Sequence, residues 1–175
     1  WPAFSTNEEA LEMLVRAIEK AKLIPNEQIV IALDIAASEF GNNGKYKIGL
    51  EKVELDSDGL SDMLGRWLEK YPIASIEDPL AEDDEAGLKI FTSAFGDKVQ
   101  IVGDDYLVTN ADRVKHVAMI GACNAVLIKP NQGSFRHRPS SPTISSQVSP
   151  ASMAARLKRA PWLSLGLSHS ILRNT

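Results

Sequence analysis

Four short apolar runs, each following a helix-like stretch and each leading to a charged residue, constrain this chain more than any other feature. The run at 29–33 ends on Asp34 and the run at 73–76 on Glu77; 99–102 leads through Gly103 to Asp104, and 125–128 ends on Lys129. The run at 29–33 is continuous, as is typical of a parallel strand covered on both faces. Thr6 followed by Glu9 has the pattern of a capping box. Leu11, Leu14, Val15, Ile18 and Ala21 recur at helical spacing, which predicts a helix over 7–22. Leu60, Met63, Leu64, Trp67, Leu68 and Tyr71 predict a second helix, stopped by Pro72. Leu88, Phe91 and Phe95 predict a third over 84–95, and a fourth is expected over 111–119. The stretch 41–58, rich in Gly, Asn and charge, reads as a surface excursion or hairpin. Alternating strands and helices with short links imply βαβ units, so the fold class is α/β with parallel strands.

Charges at the carboxyl ends of such strands have chemical meaning. In a (β/α) barrel that end is the active-site face. An open doubly wound sheet also binds ligands there, but no Gly-rich phosphate loop follows any of these strands. Three carboxylates converging on one face suit a hard divalent cation such as Mg²⁺, which takes oxygen ligands at about 2.0–2.1 Å. Without a cation they would raise one another's pKa. A lysine beside them is expected to lose its proton more readily near the cation and to serve as a general base. Acids also follow strands for ordinary reasons, because loops are wet and helix N-termini favour negative charge. Spacing alone therefore leaves both readings open.

Composition narrows the partners. All 23 acidic residues precede Gly133, whereas six of the 19 Lys and Arg follow it. The acidic body argues against a nucleic-acid surface. No apolar run is long enough for a membrane span and no signal peptide opens the chain. The single Cys123 rules out an internal disulfide framework and suits a reducing cytosol, so a cytoplasmic place is expected. The chain opens on Trp1 rather than Met, and its true N-terminus is expected to lie upstream. Two regions are expected: 1–132, carrying the strands, and a basic tail at 133–175 with ten Ser and four Pro. The abrupt loss of acids points to a shifted reading frame or an alternative exon, and to a solvated tail.

Four motifs carry a resemblance. Ala32-Leu33-Asp34-Ile35-Ala36-Ala37-Ser38-Glu39-Phe40, Ser75-Ile76-Glu77-Asp78-Pro79, Val102-Gly103-Asp104-Asp105 with Val108-Thr109-Asn110, and Leu127-Ile128-Lys129-Pro130-Asn131-Gln132 resemble successive segments of the enolase barrel. The likeness runs from about Phe4 to Gln132. It implies part of an enolase-type TIM barrel, about four βα units. It also implies Mg²⁺-assisted interconversion of 2-phosphoglycerate and phosphoenolpyruvate in glycolysis. By position, Asp34, Glu77 and Asp104 would hold the metal and Lys129 would abstract the proton, with Glu77, Asp104 and Lys129 also facing substrate. Asp78 and Asp105 would be neighbouring structural acids. The family's homodimer is a further implication. Glu85 stands where the family usually has Trp, and Ala111 where it has Pro; both read as surface changes. Past Gln132 the likeness stops, and Ser168-His169-Ser170 only superficially matches the family's substrate loop. His116 reads as a surface or core-edge residue, and His137 has little claim. The family's N-terminal domain, its general acid and a second active-site lysine are not found in this sequence. Four strands of eight would leave two open sheet edges. The competing expectations are a non-catalytic remnant and, less well matched, another lyase or racemase of the superfamily.

Overall fold

The computed structural model describes residues 4–129 and the main chain of 163–167. Helix α1 (Asn7–Lys20) starts at the predicted cap, where Thr6 Oγ1 accepts the N–H of Glu9 at 3.3 Å. Glu9 reaches back at 2.7 Å, though to the N–H of Ser5 rather than of Thr6. Strand β1 (Ile29–Asp34) and a single 3-10 turn (Ala37–Glu39) follow. Next comes a small antiparallel sheet of β2 (Gly41–Asn42), β3 (Lys45–Ile48) and β4 (Val53–Asp56). The chain then alternates: α2 (Ser57–Lys70), β5 (Ile73–Glu77), α3 (Glu85–Phe95), β6 (Gln100–Gly103), α4 (Ala111–Ile120) and β7 (Ala125–Val126).

The main sheet is parallel, with the order β7-β6-β5-β1 and one further strand, β8 (Leu163–Leu167), outside β1. Ile29 lies opposite Leu163 and Leu33 opposite Leu167. The tail thus supplies a strand, and the β1 edge that a four-strand sheet would leave open is paired. Strand β7 is shorter than its apolar run. The Leu127 N–H still bonds Gly103 at 3.1 Å, but the Lys129 N–H turns to Thr109 Oγ1 at 3.0 Å, which takes it out of the ladder.

Side-chain alternation gives the sheet two different faces. Ile31, Ile76 and Ile101 are fully buried, and they pack with Leu11 and Ile18 of α1, Leu60 and Leu64 of α2, Leu88 and Phe91 of α3 and Val117 of α4. The cross-strand partners Ala32 and Ser75, and Asp34 and Glu77, alternate with these and are only half-buried. Where α2 meets α3, a Cβ at Gly65 would sit 2.6 Å from the Phe95 ring, so a larger residue would force that ring to shift. Gly121 ends α4 at φ 73, the left-handed cap that glycine adopts without strain.

The stretch 41–58 is more than a surface excursion. Lys45 and Lys47 face solvent while Tyr46 and Ile48 are buried in the core. The Tyr46 hydroxyl donates to Asp84 Oδ2 at 2.8 Å and accepts the Ala81 N–H at 3.1 Å. The Ser57 hydroxyl donates to the same Asp84 oxygen, and Asp84 Oδ1 caps α3 through the Gly87 N–H at 3.0 Å. One carboxylate therefore ties the small sheet, the start of α2 and the start of α3 together.

Candidate metal centre

Each predicted site residue stands at the carboxyl end of a parallel strand. Asp34 and Glu77 are partners in register on β1 and β5, and Glu77 is in turn opposite Val102 on β6. Asp104 directly follows β6, and Lys129 lies three residues past β7. Carboxylate oxygens of Glu77, Asp78 and Asp104 all lie within 4.8 Å of one another. The Lys129 ammonium pairs with Asp104 Oδ2, and its side chain is 36% exposed against 10% for Asp104. Glu77, Asp104 and Lys129 are thus brought together, with Asp34 on the adjoining strand.

The geometry at these strand ends is costly. Ala36, Asp78, Val108 and Thr109 all have positive φ, at 46, 41, 42 and 53. For β-branched Val108 and Thr109 that is a genuine outlier, and such residues cost about 1–3 kcal/mol each and cluster at functional sites. Gly103 lies close to its neighbours as well, since a Cβ there would meet the Leu107 side chain at 2.8 Å and force it to shift.

Burial pushes the Glu77 carboxyl up to about 7, and Asp34, Asp78 and Asp104 add repulsion. Burial likewise raises Asp78 to about 6, although N–H bonds from Asp104 and Asp105 work against it. One ammonium therefore faces a surplus of carboxylates. That surplus, made only of oxygen donors, fits a hard divalent cation. The Lys129 pKa is raised, first by the bond to Asp104, because its ammonium serves as that carboxylate's counter-ion.

Asp78 is the residue that spacing undervalued. It is 3% exposed, its Oδ1 accepts the Asp104 N–H at 3.0 Å and its Oδ2 the Asp105 N–H at 2.8 Å. Its place directly after Glu77 was the available signal. Glu85 is also more engaged than a plain surface change, for its Oε2 meets the Tyr106 hydroxyl and lies 2.8 Å from His116 Nε2. His116 remains half-exposed, as expected. A cavity of about 310 Å³ lined by Leu68, Glu69, Phe95, Lys98 and Val99 lies at the opposite ends of the strands, away from the acids. His137 and Ser168-His169-Ser170 fall outside the described residues.

A parallel α/β sheet with acids and a lysine at its carboxyl strand ends defines a segment of a (β/α)-barrel protein, the end that is the active face in that class, and its acid cluster could hold a metal ion. Residues 1–153 match the enolase C-terminal TIM barrel domain, and the chain belongs to that family. It is similar to Enolase 2 of Pseudomonas syringae pv. syringae (strain B728a) and to Enolase 2 of Pseudomonas syringae pv. tomato (strain ATCC BAA-871 / DC3000). Identity is 45% over 131 residues in each case, covering 75% of this chain and 31% of each relative. The chain therefore spans about a third of their length. Among the described residues no helix is long and apolar enough to cross a membrane.

Proposed function

We propose that this chain carries the cation-binding and base-bearing part of an enolase, which interconverts 2-phosphoglycerate and phosphoenolpyruvate with Mg²⁺ in the cytoplasm. The observation that carries the reading is the meeting of Glu77, Asp104 and Lys129 beside Asp34 at the carboxyl ends of four parallel strands. In this reading Asp34, Glu77 and Asp104 hold Mg²⁺, and Lys129 takes the proton from the carbon next to the substrate carboxylate. The enolase superfamily is itself the type example of a lysine or histidine base working with Mg²⁺. The bound cation supplies positive charge where negative charge builds up on the substrate. Lys129 is a base only once its ammonium no longer serves Asp104. Cation binding and base activity are therefore coupled through the carboxylate they share.

A second reading is favoured by the sheet itself, whose five described strands end in two edges rather than closing. It is a non-catalytic product that takes up a cation and does no chemistry. Calorimetric titration of the 175-residue chain with Mg²⁺ tests the site common to both. Asp104→Asn and Glu77→Gln should each weaken binding about tenfold or more, roughly 1.4 kcal/mol. Lys129→Ala should leave affinity unchanged or raise it, since it removes a competing cation. In the same segment completed to a closed barrel, Lys129→Ala should abolish proton exchange at the substrate carbon. Binding indifferent to both acid changes overturns the cation site, and retained exchange removes Lys129 from the chemistry.

A further inference from the structure

The end of β6 is held by an unusual number of bonds from one residue. Asp78 gives each carboxylate oxygen to a different N–H, Oδ1 to Asp104 at 3.0 Å and Oδ2 to Asp105 at 2.8 Å. Its own N–H donates to the Val102 carbonyl at 2.9 Å, and its carbonyl accepts the Ala37 N–H at 3.1 Å. The side chain is 3% exposed and the main chain sits at φ 41, off the ordinary range for an L-residue. Two successive N–H groups turned onto one carboxylate form an anion-holding concavity of the kind usually seen around bound phosphate. Here the anion is a side chain. Through it, the strand ends of β1, β5 and β6 are joined at one residue.

We propose that Asp78 is the positioning residue of the cation centre: it fixes the main chain of Asp104 and Asp105 so that the Asp104 carboxylate faces Glu77, and it is not itself a ligand. The proposal rests on the cation-site reading above. The oxygens of Asp78 are close enough to Glu77 and Asp104 to reach a shared ion. Turning toward one, however, would sacrifice an N–H bond at a buried position, where an unpaired donor is costly. The chemistry also demands Asp. Asparagine has the same shape but one acceptor oxygen, so its amide nitrogen would meet an N–H, donor against donor.

The test compares the wild-type 175-residue chain with Asp78→Asn and with Asp105→Asn as a control. Amide hydrogen exchange, melting temperature without metal, and Mg²⁺ affinity by calorimetry are read for each. In the wild type the amides of Asp104 and Asp105 should be among the slowly exchanging ones outside the helices. Rapid exchange of both overturns the proposal, whether or not the variant folds. In Asp78→Asn those two amides should exchange at least about tenfold faster. Mg²⁺ affinity should fall about 10- to 100-fold, the usual cost of losing a partner that orients a ligand. Asp105→Asn should change neither by more than about twofold. Weaker Mg²⁺ binding with unchanged exchange at both amides would make Asp78 a ligand and overturn the positioning role. A lower melting temperature with unchanged Mg²⁺ affinity would reduce it to a structural brace and overturn it as well. If the wild type takes up no Mg²⁺, the cation reading fails by itself, and the exchange pattern then decides whether Asp78 holds Asp104.

Discussion

At Glu77 the cost of burial and the repulsion of three neighbouring carboxylates add, and at Asp78 burial outweighs two N–H bonds, so both hold protons into the range of about 6 to 7. Both folded values lie above the unfolded ones. Each group therefore binds protons more readily in the folded chain, and its contribution to stability is present at low pH. That contribution is lost as pH rises through the folded pKa. Below about pH 5 a proton does what a cation would do above about pH 7. The expected outcome is that saturating Mg²⁺ raises the melting temperature clearly near pH 7.5 and little near pH 5. An equal rise at both would remove this cluster as the binding site. The positions of Asp34, Glu77, Asp104 and Lys129 were legible because each follows a short, mainly apolar run, Asp104 after the intervening Gly103. The raised pKa of Lys129 was not, because the ion pair with Asp104 depends on the fold bringing together residues 25 apart in sequence. The engagement of Asp78 was hidden for the same reason, since its partners come from the next strand.

The helices and the strands β1, β5 and β6 were legible element by element, because each carries its own period or a largely apolar run. What escaped were elements whose stability is borrowed from elsewhere. In β3, Tyr46 and Ile48 alternate with two lysines over only four residues, too short a pattern to stand out from charged surroundings. Strand β8 pairs with β1, more than 120 residues earlier in the chain, and nothing within 163–167 names that partner. The small sheet is anchored chiefly at Asp84, which makes that residue a test of the element. Asp84→Ala removes the cap of α3 and leaves the buried Tyr46 hydroxyl without its acceptor. Losing a cap costs about 1 kcal/mol and stranding a buried donor about 1–3 kcal/mol, so a total of roughly 2–4 kcal/mol is expected. Urea unfolding should show it as a lower midpoint at unchanged slope. As a control, Asp112→Ala removes a carboxylate that pairs with Lys115 at 3.7 Å on the surface of α4, and should cost under about 1 kcal/mol. If the two variants unfold alike, the Asp84 hub does not anchor the small sheet.

On the scale of the whole molecule, the expected outcome is that the 175-residue chain binds Mg²⁺ but does not turn substrate over. A barrel of this class closes with eight strands, whereas the described sheet has five and ends at β7 and β8. An open sheet admits water and holds its side chains loosely, while positioning alone can supply about 7–11 kcal/mol of a barrier. The charge balance is a second obstacle. The substrate of the proposed reaction carries a phosphate and a carboxylate, and gripping both calls for several cations or N–H donors. The described centre presents Asp34, Glu77, Asp78 and Asp104 against one ammonium, and that ammonium is already paired with Asp104. Removing a hydroxyl group from the substrate further requires an acid placed to protonate it as it leaves, a contribution of about 10²–10⁴-fold. Glu77, though raised to about 7, lies among the cation's proposed ligands and cannot serve both roles. Losses at several positions of one site remove most of a rate together rather than in proportion. Phosphoenolpyruvate formation by the purified chain, followed by phosphorus NMR with saturating Mg²⁺, should not exceed the rate without protein. Turnover near the ~10 s⁻¹ median of enzymes would mean that residues outside those described, or a second copy of the chain, complete the site.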